Sequence, residues 1–228
     1  MQKQSCSAGL VLTWGLVGIM GALLTAASDL VLLGRPNSAY SFFKLGTETM
    51  AVLPQWRITA GTFIGVAALP FQLAGLISLY YGLKPAGRVI PPVVLLTTAH
   101  ALIMGVAFHA SYAFIGSGWR LYYEMGQGNA AVLELIEKFD YYWRIIIIAA
   151  LGELLIASIL FVFLVLAGKT LYPKWMSLLN PICILLFMYC LIIILPAPIG
   201  GFVAPAYINL STIAFLILST VTVYRKMV

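Results

Sequence analysis

The sequence predicts an all-α protein, a polytopic bundle of about six transmembrane helices with both termini in the cytoplasm. Three observations predict it. Hydrophobic residues make up 62% of the chain and charged residues only 9%, whereas a soluble domain carries roughly 25% charged residues because its surface faces water. The apolar residues come in runs near the ~20 residues that cross a hydrocarbon core. The cations of the short connections fall on one side.

The runs are 9–33, 58–83, 92–115, 145–168, 175–195 and 206–224. Helix is expected for each, since every backbone donor in lipid must be satisfied within its own segment. The first run is much longer than the 7–15 apolar residues of a signal peptide. The Ala26-Ala27-Ser28 stretch is therefore read as part of a retained span rather than a cleavage site. Between 128 and 142, Val132, Leu133, Ile136 and Phe139 recur at helical spacing opposite Glu134, Glu137 and Lys138. That pattern fits an amphipathic helix at the interface, or an outward extension of the fourth span. One membrane domain over 1–228 is the simplest organisation, with no internal repeat.

Orientation follows from charge. Lys3, Lys84, Arg88, Lys169, Lys174, Arg225 and Lys226 share one side with no acidic residue. The other side mixes Arg35, Lys44, Arg57, Arg120, Lys138 and Arg144 with Glu48, Glu124, Glu134, Glu137 and Asp140. Short cationic loops stay in the cytoplasm. The net charge of +6 is accordingly read as topology and contact with lipid headgroups. No basic stripe interleaved with polar surface exists to dock a phosphate backbone, so no nucleic-acid partner is expected.

Small residues recur along the first four spans: Gly15, Gly18, Ala22 and Thr25 toward Asp29; Gly61, Gly65 and Ala68 toward Gln72 and Gly75; Ala101 and Gly105 toward His109, Tyr112 and Gly116; Ala149 and Ala157 around Glu153. Small side chains let helix backbones approach closely and mark packed faces. Each of these faces thus carries one polar group. Spans five and six lack so clean a stripe and are placed at the periphery.

An ionisable group inside the membrane is costly unless protonated, paired or hydrated. Asp29, Gln72, His100, His109 and Glu153 are therefore the candidate ligand or proton site, in an outward-facing pocket among spans one to four. Glu48, Arg57, Arg144 and Asn209 are placed at its rim. Each has a plainer reading as an interhelical bond or helix-end contact. Glu153, near the bilayer centre, is the strongest single candidate. His100 and His109, nine positions apart, face opposite sides of one helix and do not suit a shared metal. The segment 195–205, rich in Pro and Gly, is expected to form a stiff plug over the outer end, and Pro70 to kink the second span beside Gln72.

Chemical motifs are mostly missing. There is no Gly-rich phosphate loop, CxxC pair or HExxH, and no cofactor or metal is expected. Cys183 and Cys190 lie about 10 Å apart on a helix and cannot bridge. Cys6 is a candidate for acylation.

The segments Ser-Asp-Leu-Val-Leu-Leu-Gly (28–34), Tyr-Gly-Leu-Lys-Pro-Ala-Gly (81–87), the span holding His100 and His109, and Leu-Pro-Ala-Pro-Ile-Gly-Gly (195–201) together resemble an uncharacterised bacterial family of multi-span membrane proteins. The resemblance implies the bacterial plasma membrane and brings no activity. The Asp29 segment is also faintly similar to the Gly-Asp-x-x-Leu element of lysoplasmalogenase-like membrane hydrolases, although Ser28 replaces the glycine. Three functions remain in view. The first is binding or transport of a small or amphiphilic ligand with proton coupling, with membrane lipid as the other partner. The second is an intramembrane lipid-modifying enzyme, with His109 or Glu153 as general acid–base and Asp29 orienting the imidazole. The third is an accessory subunit whose polar groups merely lock helices together. Catalytic residues, ligand identity and oligomeric state are not legible.

Overall fold

The computed structural model describes residues 2–44 and 46–228, with side chains from residue 7 onward, so the readings of Lys3 and Cys6 lie outside the described side chains. Eight α-helices follow in order: α1 Gln2–Leu33, α2 Ala39–Lys44, α3 Gln55–Leu83, α4 Ile90–Glu124, α5 Ala130–Leu166, α6 Pro181–Ile193, α7 Ile199–Val203 and α8 Tyr207–Met227. No strand occurs among the described residues.

Five stretches are long and apolar enough to cross a membrane: Ser7–Leu33, Gln55–Ala86, Ile90–Glu124, Ala130–Leu166 and Ile199–Met227. The chain is a multi-pass membrane protein. The expected fifth span, 175–195, yields only the 13 residues of α6, about 20 Å at helical rise. Its shortness has a local cause. Asn180 caps the helix, accepting from the Cys183 N–H at 3.1 Å, and Pro181 takes the first turn, where its missing N–H is no loss. Pro196 and Pro198 prevent continuation beyond the other end. The segment still runs the length of the bundle. The Leu171 N–H donates to the Gly82 carbonyl (2.9 Å) at the end bearing both termini, and the Gly201 N–H to the Asn37 carbonyl (2.7 Å) at the other. These are called the lower and upper ends.

Small residues set the helix contacts as their spacing suggests. On α1, a Cβ added at Gly18 would lie 2.5 Å from Gly75 Cα, and one at Gly61 would lie 2.5 Å from Leu32 Cβ. These backbones approach too closely for any larger side chain. α8, however, is central rather than peripheral. Gly15 packs on Thr220 and Gly75 on Leu216, while the Ser219 hydroxyl bonds those of Ser78 (2.9 Å) and Tyr172 (2.7 Å). The stripe on α8 is one of Ser, Thr and Asn rather than Gly and Ala. Its polar groups find partners on the α1–α3 pair.

At the upper end the α1–α3 connection folds over the bundle. Arg57 closes α1: its Nε donates to the Val31 carbonyl at 2.6 Å and its Nη2 to Gly34 at 2.8 Å, supplying donors that the last turn of a helix lacks. The 195–205 segment forms α7 and tucks under this connection, with Gly200 against Ala39 N and Gly201 against the Asn37 carbonyl. Residues 130–142 form the beginning of α5, continuous with its membrane part. Asn129 caps that helix, accepting from the Ala131 and Val132 N–H groups.

Candidate functional site

The buried polar groups converge at one place. Asp29, on the last turns of α1, lies opposite His109 of α4, with Oδ1 3.1 Å from the imidazole Nε2. Both side chains are buried, 8% and 4% exposed. Asn209, in the first turn of α8, donates from Nδ2 to Asp29 Oδ2 at 2.7 Å. Gln72 of α3 donates from Nε2 to Asn209 Oδ1 (3.1 Å) and to Thr25 Oγ1 (3.0 Å), and the threonine hydroxyl donates to the Gly21 carbonyl. Four helices thus contribute one linked network. The bonds have a direction: the amide donors of Asn209 and Gln72 point toward Asp29, which accepts on Oδ2 from Asn209 while Oδ1 faces the imidazole. That arrangement leaves one hydrogen bond between the carboxyl group and the ring nitrogen.

The position of His109 depends on a glycine. A Cβ at Gly65 would lie 2.4 Å from His109 Nδ1 and 2.8 Å from Ser28 Oγ. The bare α-carbon leaves room for the ring. Nδ1 itself and Gln72 Oε1 are buried without a hydrogen-bond partner, so the network keeps unused polar capacity, which is unusual for buried groups.

The pair lies in the wall of a cavity of about 550 Å³, within the roughly 300–1,000 Å³ typical of small-molecule sites. Most of its lining comes from α1, α3, α4, α5 and α8, with α2 adding Phe42, Phe43 and Lys44, and on α4 it runs from Thr98 to Tyr112, about 20 Å along the axis at helical rise. Asp29, Gln72, His109 and Asn209 occupy its middle, Arg35, Lys44 and Arg144 its upper rim, and Leu76, Leu102, Leu154 and Phe215 its lower part. α5 and α8 meet through Phe161 and Phe215, with ring centroids 5.8 Å apart, while their backbones otherwise keep apart. The cavity is the space so left. Near its upper part Trp143 stacks on Phe108 at 5.0 Å, and Gly105 lines the wall with enough space for a side chain.

The structure therefore brings Asp29, Gln72, His109 and Asn209 together, with Asn209 at the centre of the network and not at its rim. His100 and Glu153 are not among them. They form a second pair, His100 Nδ1 2.7 Å from Glu153 Oε1, with side chains 60% and 26% exposed. Neither lines the cavity. The reason lies in α4: nine residues turn the two imidazoles to opposite faces, and Glu153 follows His100. Of the remaining expected rim residues, Arg144 lines the cavity, Arg57 caps α1, and Glu48 accepts from the Gly46 N–H at 3.0 Å. Arg35 and Lys44, placed by the sequence among the charges of the first connection and not at the pocket, stand at the rim. Their clue was the scarcity of acids in the connection they share.

Residues 1–226 match the family of unknown function DUF6796. The chain belongs to this family. No curated protein and no solved structure matches it. Membership of DUF6796 covers almost the whole chain and carries no activity.

Proposed function

We propose that this member of DUF6796 binds an amphiphilic ligand in the cavity, with the Asp29–His109 pair exchanging a proton as the ligand enters or leaves. One observation carries the reading: a buried carboxylate–imidazole pair sits in the wall of a cavity that is charged at one end and apolar at the other. A pair retained in a membrane interior only to join helices would not need an open space beside it. The unused carbonyl oxygen of Gln72, a residue of the cavity wall, adds to this.

The proposal extends to topology. The chain crosses the membrane six times, the segment from Leu171 to Gly201 supplying the crossing that α6 alone is short for, and both termini lie in the cytoplasm of a bacterial cell. The cations Lys84, Arg88, Lys169, Lys174, Arg225 and Lys226 support that orientation.

A lipid-hydrolysing reading has less support from the geometry. Ser28 and Asp29 flank His109 in the manner of a nucleophile and an orienting acid, yet Ser28 is wholly buried and donates to the Thr25 carbonyl at 2.7 Å. His109 Nδ1 faces Gly65 in the α3–α4 contact, where no substrate reaches it. Mass spectrometry of molecules co-purifying with the full chain in mild detergent tests the proposal. An intact amphiphile retained by the wild type and lost in Gly105→Phe is expected. Equal retention by both would overturn it, and a chemically altered lipid would favour the hydrolase.

A further inference from the structure

Two of the three cations on the rim of the cavity form no ion pair among the described residues. Arg144 has one, its Nε donating to Asp140 Oδ2 at 2.6 Å. Arg35 instead donates to the Thr49 carbonyl, and the Lys44 ammonium lies 5.7 Å from the centroid of the Tyr40 ring. Neither forms an ion pair among the described residues. Glu48, close in sequence, is committed to the Gly46 N–H, and Asp29 to His109 and Asn209. Partial burial, and then the charge of Arg57, lower the Arg35 pKa from its ordinary value. Burial and a like charge together disfavour the guanidinium, and a bound anion relieves both. Guanidinium and ammonium groups are the usual holders of phosphate and carboxylate.

Below this rim the walls change character. Past the Asp29–His109 network, Leu76, Leu102, Leu154 and Phe215 enclose a slot with no charged side chain. On α4 the slot runs from Thr98 up to the network at His109, about 16 Å at helical rise, which suits an extended hydrocarbon chain. We infer that the ligand is an amphiphile with an anionic phosphate or carboxylate head held by Arg35 and Lys44 and a hydrocarbon chain in the slot below. This rests on the reading that the cavity binds an amphiphile, and adds the sign of its head and the place of its tail.

The test uses the full-length chain in phosphatidylcholine nanodiscs and two single-chain probes of equal length, an alkyl phosphate and an alkylphosphocholine, with inorganic phosphate as competitor. The alkyl phosphate should bind at least tenfold tighter than its zwitterionic counterpart. Lys44→Glu, at an exposed position, should remove most of that preference, and Gly105→Phe should weaken both probes at least tenfold. Should Gly105→Phe not fold, Leu102→Trp fills the same slot from the neighbouring turn. Inorganic phosphate should not displace the probe at equal concentration; displacement would make a free anion the ligand and overturn the inference. So would equal affinity for the two heads, or a preference that survives both Lys44→Glu and Arg35→Gln. If both probes bind Gly105→Phe and Leu102→Trp as well as wild type, the cavity reading falls too, and that result is distinct from the others.

Discussion

His109 Nε2 lies 3.1 Å from Asp29 Oδ1, and the ring can stand there because Gly65 on the neighbouring helix has no side chain. The relationship joins three helices: α1 supplies the acid, α4 the imidazole, and α3 the space. It also separates two classes of glycine in the bundle, those that admit a helix and one that admits a functional group.

Gly65→Ala is expected to force His109 away from Asp29, because a Cβ there would lie 2.4 Å from Nδ1. Overpacking of this kind costs about 1–3 kcal/mol. Gly105→Ala, whose Cβ would meet Leu69 Cδ2 at an ordinary 3.5 Å, should change stability by less than about 1 kcal/mol, helix propensity working in its favour. Thermal unfolding of the two variants in one mild detergent compares them directly. Equal melting temperatures would remove the role assigned to Gly65.

Asn209 is bonded on both sides, to Asp29 at 2.7 Å and to Gln72 at 3.1 Å. Asn209→Leu removes both bonds and leaves a buried carboxylate oxygen unpaired and Gln72 with only its bond to Thr25, a loss of about 1–3 kcal/mol for the orphaned oxygen. Asn209→Asp should be worse, since it sets a second carboxylate against the first. The order of melting temperatures, wild type above Asn209→Leu above Asn209→Asp, is the outcome to look for.

The two acid–imidazole pairs should behave as separate units. A double-mutant cycle between His100 and Glu153 should give a coupling of about 1 kcal/mol, in the range of interhelical polar pairs in membranes. The corresponding cycle between His109 and Glu153 should be additive within about 0.5 kcal/mol, as for sites that share no partner. A large coupling in the second cycle would mean that one network joins them in solution.

Arg57 binds three carbonyls at the end of α1, those of Leu30, Val31 and Gly34. Arg57→Lys should not restore what Arg57→Ala loses, because an ammonium lacks the planar fork that reaches several acceptors at once. Both variants should lower the melting temperature by similar amounts. Full rescue by lysine would reduce Arg57 to a surface charge.

Sidedness is open to cysteine labelling in intact cells. A cysteine placed at Gln127 should react with a membrane-impermeant maleimide, and one at Gly87 only after the cells are opened, since the two lie at opposite ends of α4. A cysteine at Thr170 should behave like Gly87. A cysteine at Ile199, exposed at the far end of the segment from Leu171 to Gly201, should behave like Gln127, and its reaction only after the cells are opened would overturn the crossing proposed for that segment.

Composition and run length alone determined that the chain lives in lipid and that its elements are helices, because backbone satisfaction in hydrocarbon leaves few choices, and the spacing of small residues marked the contact of α1 with α3, because close approach demands them. Asp29, Gln72 and His109 were legible for the same reason: each interrupts a stripe of small residues at helical spacing. The Asp29–His109 pairing entered only within the enzyme reading, and the pairing of Glu153 with His100 was not legible. Which carboxylate meets which histidine depends on the rotation of α4 and α5 against their neighbours, and that rotation is a property of all the packed contacts together. Asn209 and the centrality of α8 escaped for a related cause, since a face of Ser, Thr and Asn reads as interior only when its partners on other helices are known. The shortness of α6 was written in Asn180-Pro181 and Pro196, local signals outweighed in the sequence by an unbroken apolar run. Tertiary structure alone decided that the helices enclose a space, because a cavity is made by backbones that fail to meet, and no residue encodes that by itself.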